Sequence, residues 1–197
     1  IDEVSEECLK YVDILDLKDP DKGAIGSWEI KNLKKIVQKF GNKIKISATL
    51  GDEDKVYKIL NKLNLFDSLK LDYIKFGIFT NEIEQLTFLL NSIKERKFKT
   101  ELVPVIFVEN KFLRNFVAEN IKEFKKFGYN FLLLDTYSKN IGNVFEICSD
   151  DYLKILLNQS LVNNISIGLA GKLNLSNISK LVELQPKIIG FRSAVCV

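Results

Sequence analysis

Residues 72–107 read DYIKFGIFTNEIEQLTFLLNSIKERKFKTELVPVIF, and this stretch decides the fold class. Residues 72–79 are rich in aromatic and β-branched side chains, which predicts a β-strand. Apolar residues then recur at helical spacing over 82–96, and a second apolar run over 101–107 predicts another strand. A strand, a helix and a strand in this order are typical of a parallel βαβ unit.

The same alternation runs through the rest of the chain. The sequence predicts seven strands: Tyr11–Lys18, Lys43–Leu50, Asp72–Phe79, Glu101–Phe107, Asn130–Thr136, Asn164–Ala170 and Lys187–Arg192. It predicts six helices between them: Trp28–Phe40, Glu53–Leu63, Glu82–Arg96, Lys111–Phe127, Asp150–Asn158 and Leu175–Leu184, with a partial helix over Ile1–Leu9. The repeat is about 25 to 35 residues, as βα units require, and no linker interrupts it. We therefore expect one domain over residues 1–197.

Several predicted helix ends carry recognisable signals. Ser27 is a good N-cap for a helix that begins at Trp28, and Ser149 is one for the fifth helix. Gly41 and Gly128 stand where the C-caps of two helices are expected. These signals support the predicted boundaries.

Strands that alternate with helices form a parallel sheet, which is either a closed (β/α)₈ TIM barrel or an open doubly wound sheet. We favour the barrel, which needs eight strands where seven can be counted. Because the chain opens on a helix and ends just after a strand, we expect its first strand and its last helix to be missing from the sequence. The absence of methionine, even at position 1, fits this expectation.

Composition excludes several classes of protein. Hydrophobic residues make up 46% and charged residues 28%, which is typical of a globular chain and excludes a disordered one. No stretch approaches the roughly 18 uncharged apolar residues of a membrane helix, so we expect no membrane partner. The net charge of +3, from 29 basic and 26 acidic residues, is too balanced to indicate nucleic acid binding.

Three scattered cysteines and the absence of histidine restrict the chemistry. They favour a reducing, cytoplasmic compartment, and they exclude a zinc site and a histidine-based catalytic triad. We therefore expect neither a metal nor a cofactor. The sequence leaves open whether the protein forms a homo-oligomer.

The polar residues of the predicted strands occupy alternate positions, so they lie on the same face of each strand. Side chains alternate across a strand, and in a barrel one set faces the helices while the other faces the interior. The interior set comprises Asp16, Lys18, Ser47, Thr49, Lys75, Asp135, Gly168, Ala170, Gly190 and Arg192. Any one charge among them could be an ion pair at a strand end. Two lysines and two aspartates together indicate an active site, because a buried charge costs several kcal/mol unless it is paired.

Small residues follow the last two predicted strands. Glycines at such positions in a barrel commonly form a phosphate cradle from backbone N–H groups, and an arginine can add a bidentate contact. We therefore expect the phosphate of a small-molecule substrate at Gly168, Ala170, Gly171, Arg192, Ser193 and Ala194. The alternative is that the glycines only permit tight turns.

Five blocks of the sequence resemble one enzyme family. Residues 12–26, VDILDLKDPDKGAIG, resemble the "ADIIDVKNPxxGSLG" segment of the (5-formylfuran-3-yl)methyl phosphate synthases of methanofuran biosynthesis. The other four blocks, in the family's order, are Ile46–Asp52, Asp72–Gly77, Leu134–Thr136 with Lys139, and Leu169–Gly171 with Gly190–Cys196. The chain departs from the family over 104–110, which lacks a pattern of small residues, and at Ser193, where the family has glycine.

The resemblance implies a TIM-barrel lyase that acts on carbon–oxygen bonds of phosphates. Such an enzyme joins two glyceraldehyde 3-phosphates into a phosphorylated furan aldehyde, with loss of one phosphate and two waters. The family's Schiff-base lysine falls on Lys18 and its second catalytic lysine on Lys75. Its other active-site residues fall on Asp16, Asp135 and Lys139, and we expect Ser47 and Thr49 to contact the substrate.

Two other functions are compatible with the same residues. A different Schiff-base enzyme of the TIM-barrel type, such as a class I aldolase or a sugar-phosphate isomerase, would use a similar set. A barrel that binds phosphate without catalysis would not need both lysines. We prefer the furan phosphate synthase, because Lys18 and Lys75 are both present.

Overall fold

The structure of the chain is a computed structural model that describes residues 7–138, 140–192 and 194. The strands are β1 (Ile14–Leu17), β2 (Lys45–Thr49), β3 (Tyr73–Gly77), β4 (Glu101–Phe107), β5 (Phe131–Asp135), β6 (Ser166–Leu169) and β7 (Ile188–Ile189). The helices are α1 (Ile30–Phe40), α2 (Val56–Asp67), α3 (Ile83–Lys94), α4 (Lys111–Lys126), α5 (Val144–Ile147), α6 (Asp150–Val162) and α7 (Ile178–Leu184). Short 3₁₀ helices lie at Cys8–Tyr11, Pro20–Lys22 and Leu175–Asn177.

All seven predicted strands are present, and most are shorter than predicted. β1 begins at Ile14 because Cys8–Tyr11 forms a 3₁₀ helix, and it ends before Lys18. β7 has only two residues. The order of strands and helices therefore confirms the α/β class.

Some helix boundaries differ from the prediction. The prediction that Ser27 caps a helix beginning at Trp28 is wrong, because α1 begins at Ile30 and Ser27 Oγ donates to Trp28 O at 3.3 Å. α6 runs on to Val162. Helix α5 was missed, because four residues are too few to show helical spacing.

Two of the predicted caps are confirmed. Ser149 caps α6, and its Oγ accepts from Tyr152 N at 3.2 Å. Gly41 is the C-cap of α1, and its N–H donates to Val37 O at 2.8 Å. Caps of this kind satisfy backbone groups that have no partner inside the helix.

The described residues divide into two compact units. The first holds the chain up to residue 79 together with 92–102, and the second holds 80–91 and the chain from 103 onward. The chain passes from one unit to the other between β3 and α3, within α3 and within β4. A single domain over residues 1–197 stays a prediction.

In the first unit, β2 lies between β1 and β3, and both pairs are parallel. Asp16 lies opposite Ser47, and Thr49 lies opposite Lys75. The core contains side chains that are at most 2% exposed, among them Leu17, Leu33, Ile36, Phe40, Ile46 and Ile74. Burial of these apolar groups stabilises the unit and holds the carboxyl ends of its strands in register.

In the second unit, β4, β5, β6 and β7 lie side by side in chain order and are parallel. Phe107 lies opposite Asp135, and Leu134 lies opposite Leu169. The side chains of Leu113, Val117, Phe124, Leu132, Leu134, Leu153 and Leu169 are fully buried. This core supports the carboxyl end of β5, where Asp135 stands.

Five turns that lead from a helix into a strand contain a residue with a positive φ. The angles are 61° at Lys70, 50° at Lys97, 94° at Gly128, 52° at Asn164 and 49° at Gln185. Only the turn before β5 uses glycine. The left-handed conformation costs other residues roughly 1–2 kcal/mol each.

Over residues 7–138, 140–192 and 194, no helix combines the length and the apolar composition needed to cross a membrane. These same residues contain seven strands, and no eighth strand is among them. Closure into an eight-stranded barrel is therefore not confirmed, and the expectation of a missing first strand and last helix has no support.

Candidate active site

Lys18 is the first residue after β1, at the carboxyl end of the strand. Leu17 before it is buried, whereas the side chain of Asp16 is 40% exposed, which is the alternation predicted from the sequence. Lys18 is itself partly buried. It begins the segment of residues 18–29 that leads into α1, which we call the β1 loop.

Lys75 of β3 forms an ion pair with Asp16 of β1. Lys75 Nζ lies 2.5 Å from Asp16 Oδ2, and the side chain of Lys75 is only 11% exposed. Because β2 lies between the two strands, the side chains meet across it. A buried ammonium without a partner costs several kcal/mol, and Asp16 is the partner that this side chain contacts.

Lys18 and Lys75 stand at the same level of the sheet. Leu17 pairs with Ala48, and the next residue of β2, Thr49, pairs with Lys75. Lys18 is the residue after Leu17, so it continues the row that contains Thr49 and Lys75. The first unit thus places both predicted catalytic lysines at the carboxyl ends of its strands.

Thr49 ties β2 to the β1 loop. Its side chain is fully buried, and Oγ1 lies 2.7 Å from Gly26 O and 3.3 Å from Leu17 O. A hydroxyl has a single proton, so it donates to Gly26 O, the nearer acceptor. These contacts favour a structural role for Thr49 over contact with substrate. Ser47, also buried, lies opposite Asp16.

The carboxylate of Asp52 also holds the β1 loop. Asp52 Oδ2 accepts from Ala24 N at 3.2 Å, and Asp52 Oδ1 accepts from Ile25 N at 3.0 Å. Gly51 N donates to Ile25 O at 2.9 Å. The residues that follow β2 therefore contact the backbone of the β1 loop at several consecutive groups.

In the second unit, Asp135 is the last residue of β5 and is 7% exposed. Its Oδ1 accepts from Thr136 N at 2.7 Å. Lys139 lies outside the described residues. The carboxylate of Asp135 thus stands at the start of residues 136–143, which we call the β5 loop.

Glu109, which follows β4, holds the β5 loop from the side. Its Oε1 accepts from Tyr137 N at 2.8 Å and from Ser138 N at 3.0 Å. Its Oε2 is buried and has no hydrogen-bond donor within the described part of the chain. One carboxylate oxygen therefore satisfies two consecutive N–H groups of the loop.

A cluster of polar side chains lies beside Glu109. Arg114 Nη1 donates to Val108 O at 2.9 Å, and Tyr152 Oη donates to Arg114 O at 2.8 Å. Burial raises the pKa of the Cys148 thiol to about 11, with Arg114 lowering it and Glu109 raising it to a lesser degree. Burial also raises the pKa of Tyr152. Both groups are therefore neutral near pH 7, and neither suits proton transfer there.

The residues predicted to bind phosphate have unequal surroundings. Ala170 N donates to Leu134 O at 2.8 Å, so this N–H group already has an acceptor in the sheet. Gly171 has a φ of 91°, and a Cβ at this position would lie 2.8 Å from Thr136 N. Gly168 lies in β6, Arg192 and Ala194 follow β7, and Ser193 lies outside the described residues. A phosphate at these residues stays a prediction.

We predicted no role for Glu109 from the sequence, and Asp52 stood out only as the last residue of the motif block Ile46–Asp52. Their backbone partners are between 27 and 29 residues away in the chain, so local spacing could not reveal them. A signal was present, because each is an acidic residue just beyond the end of a predicted strand.

Proteins of similar sequence carry one name. A protein of Archaeoglobus fulgidus named (5-formylfuran-3-yl)methyl phosphate synthase is 25% identical over 194 residues, which cover 93% of this chain and 82% of that protein. A protein of the same name from Methanocaldococcus jannaschii is 24% identical over 206 residues, covering 100% of this chain and 86% of that protein. In Methylorubrum extorquens, a protein named as a putative synthase of this kind is 24% identical over 184 residues.

Two solved structures of similar fold come from enzymes of low sequence identity to this chain. Phosphoribosyl anthranilate isomerase from Thermus thermophilus aligns with a TM-score of 0.60 and 15% identity, over 95% of this chain and 80% of that one. The aldolase QR15 aligns with a TM-score of 0.64 and 12% identity, over 98% of this chain and 95% of that one. At these identities the likeness concerns the fold alone.

One family has a sequence model that matches the chain along its whole length. Its description is 4-HFC-P synthase, and the match spans residues 1–197. The match includes all five motif blocks on which the resemblance was based. The chain therefore belongs to the 4-HFC-P synthase family.

Proposed function

We propose that this chain catalyses the condensation of two glyceraldehyde 3-phosphate molecules into (5-formylfuran-3-yl)methyl phosphate, a step of methanofuran biosynthesis. The names of its relatives support the product. Loss of one phosphate and two waters balances the reaction. The enzyme is then a carbon–oxygen lyase acting on phosphates.

The observation that carries the proposal is the arrangement of Lys18, Lys75 and Asp16. Lys18 follows β1 at the level of Lys75, whose ammonium is buried against Asp16. A purely structural ion pair would not need a second lysine at the same level. The arrangement supports a reaction that uses one lysine as nucleophile and the other as a charged neighbour or proton donor.

Lys18 is the proposed Schiff-base lysine. Its neutral amine attacks the aldehyde carbon of glyceraldehyde 3-phosphate, and loss of water gives an iminium. This cation withdraws electrons, so the proton on the adjacent carbon can leave to form an enamine. The enamine expels the phosphate from the next carbon, and the electrophile so formed allows a carbon–carbon bond to the second substrate molecule.

The other predicted residues have narrower roles in the proposal. Lys75 and Asp16 transfer protons as a pair, because a proton can move along their hydrogen bond. Asp135 is a further acid–base group, and Lys139 binds a phosphate. Phosphate binding by Gly168, Gly171, Arg192, Ser193 and Ala194 is also part of the proposal, as are a cytoplasmic location and a complete (β/α)₈ barrel.

Borohydride trapping tests this function directly. Incubation with glyceraldehyde 3-phosphate and borohydride should label the peptide that contains Lys18, and the reaction without borohydride should yield a product with furan-aldehyde absorbance. Labelling at Lys75 instead would reassign the Schiff base. Labelling at Lys18 without the furan product would favour a different aldolase or isomerase.

A further inference from the structure

We propose that Asp52 is a positioning residue for Lys18. The inference rests on the proposed function, because it concerns how the reactive lysine is presented. Asp52 accepts two hydrogen bonds from the β1 loop, at Ala24 N and Ile25 N. Neither the family resemblance nor the strand parity assigns it this role.

The β1 loop is closed on itself immediately after Lys18. Asp19 N donates to Gly26 O at 2.9 Å, and Thr49 Oγ1 donates to the same oxygen at 2.7 Å. Lys18 therefore lies between β1, which is paired with β2, and a loop whose two ends are joined by hydrogen bonds. We therefore expect a change in the path of the loop to alter the backbone position of Lys18.

Asp52 packs directly against this backbone. Gly23 has a φ of 108°, and a Cβ added there would lie 2.2 Å from Asp52 Oδ2. Only glycine adopts this conformation without strain and leaves room for the carboxylate. The carboxylate and the glycine together determine the path of residues 23–25.

Leu50 and Glu53, on either side of Gly51 and Asp52, are also anchored outside the loop. Leu50 N donates to Lys75 O at 3.0 Å, and Leu50 O accepts from Lys62 Nζ at 2.9 Å. Lys62 also pairs with Glu53 at 2.6 Å. The acceptor thus stands on a rigid base formed by β3 and α2, as a positioning group requires.

Both oxygens of Asp52 are occupied by N–H donors, which argues against a role in proton transfer. A carboxylate held by two backbone N–H groups stabilises a conformation, and it does so more strongly than a neutral acceptor. Loss of the charge should therefore loosen the loop. The placement of the Lys18 amine for attack should change more than the affinity for substrate.

The test compares Asp52→Asn with the control Asp54→Asn, an exposed carboxylate of the same segment that pairs with Lys55. Asparagine keeps one acceptor but turns an NH₂ group toward the second N–H donor. The rate of borohydride trapping at Lys18 with glyceraldehyde 3-phosphate should fall by about 10 to 100-fold, as expected for a misplaced reactive group. KM should change little, and hydrogen exchange should accelerate at Ala24 and Ile25.

A second probe separates this inference from the proposed function. Pyridoxal 5′-phosphate with borohydride labels accessible amines whatever the natural substrate is, and the exposed Lys31 is an internal standard. Labelling of Lys18 relative to Lys31 should fall at least severalfold in Asp52→Asn and stay unchanged in Asp54→Asn. Unchanged relative labelling in Asp52→Asn would overturn the positioning role. Failure of the wild type to react with glyceraldehyde 3-phosphate would overturn only the function.

Discussion

The β1 loop and the β5 loop are each held by a carboxylate that accepts from two consecutive backbone N–H groups. In the first unit Asp52 uses both of its oxygens for Ala24 N and Ile25 N. In the second unit Glu109 uses Oε1 alone for Tyr137 N and Ser138 N. Two loops that carry predicted catalytic residues are therefore shaped by the same kind of interaction.

The two carboxylates differ in their exposure to water. Asp52 is exposed, whereas Glu109 is partly buried and its Oε2 lacks a donor among the described residues. Water can replace Asp52 at the loop, whereas the Oε2 atom of Glu109 is buried away from water. The difference predicts that the loss of Asp52 costs less stability than the loss of Glu109, whose side chain is half-buried.

We expect the largest effect from the substitution of Lys18. This result would show that the β1 loop supplies the nucleophile that forms the covalent intermediate. Lys18→Ala should lower turnover by about 10⁴-fold or more, as removal of a nucleophile generally does. The control is Lys22→Ala, in the same loop, which loses an exposed ion pair with Asp19. Turnover of Lys18→Ala above a hundredth of the wild-type rate would mean that the β1 loop does not supply the nucleophile.

Lys75→Arg should have the next largest effect. Arginine keeps the charge and the pairing with Asp16, but it hardly deprotonates. Turnover should fall by about a hundredfold, which is the usual scale for an acid–base group, while KM changes much less. Steady-state kinetics measures both. A near wild-type rate would leave Lys75 as an electrostatic neighbour and move proton transfer to Asp16 or Asp135.

The stability of two alanine variants tests the contrast between the carboxylates. Glu109→Ala removes a half-buried acceptor from the N–H groups of Tyr137 and Ser138 and should lower the free energy of unfolding by about 1–3 kcal/mol. Asp52→Ala should cost about 1 kcal/mol or less, because water replaces an exposed acceptor. Thermal or urea unfolding measures the difference, and Glu109→Gln, which keeps an acceptor, is the matched control. Equal losses for the two alanine variants would contradict the contrast.

The last prediction concerns the reactivity of Cys148, whose pKa Glu109 helps to raise. Its thiol is 2% exposed and has a pKa of about 11, raised from 9.0 mainly by burial. At pH 8 its alkylation should be about a hundredfold slower than that of a free cysteine, since only the thiolate reacts. Mass mapping of the peptide that contains Cys148 measures the rate, with the unfolded chain as control.

The raised pKa of Cys148 also predicts how the stability of the folded chain changes with pH. A raised pKa in the folded state means that folding favours the neutral thiol. The stability that this thiol contributes to the folded chain is therefore fully present below about pH 9. It is lost as pH rises toward 11, because the unfolded chain ionises first. The stability of the wild type should therefore fall more steeply over this range than that of Cys148→Ala.

The sequence predicted the fold class and the opposite faces of Asp16 and Leu17. The alternation around Leu17 is a local property of a strand, so the pattern of residues reveals it. The order of strands was equally accessible, because βα units repeat. Helix α5 could not be predicted from the sequence, because it completes little more than one turn.

The contacts that shape the candidate site could not be predicted in the same way. Asp16 and Lys75 are 59 residues apart, and only the parallel register of three strands brings them together. The hydroxyl of Thr49 looked available for substrate in the sequence, yet its proton goes to the backbone of Gly26. Pairings of this kind depend on tertiary structure, which the spacing of residues does not encode.

The turns with positive φ have a consequence for how this fold tolerates change. Four of them place lysine, asparagine or glutamine in a conformation that glycine adopts at lower cost, and all four precede strands. They lie at the amino ends of β3, β4, β6 and β7, whereas the predicted chemistry lies at the carboxyl ends. Heat resistance can therefore be improved at one end of the strands by exchanging single residues, while the reactive end is left as it is.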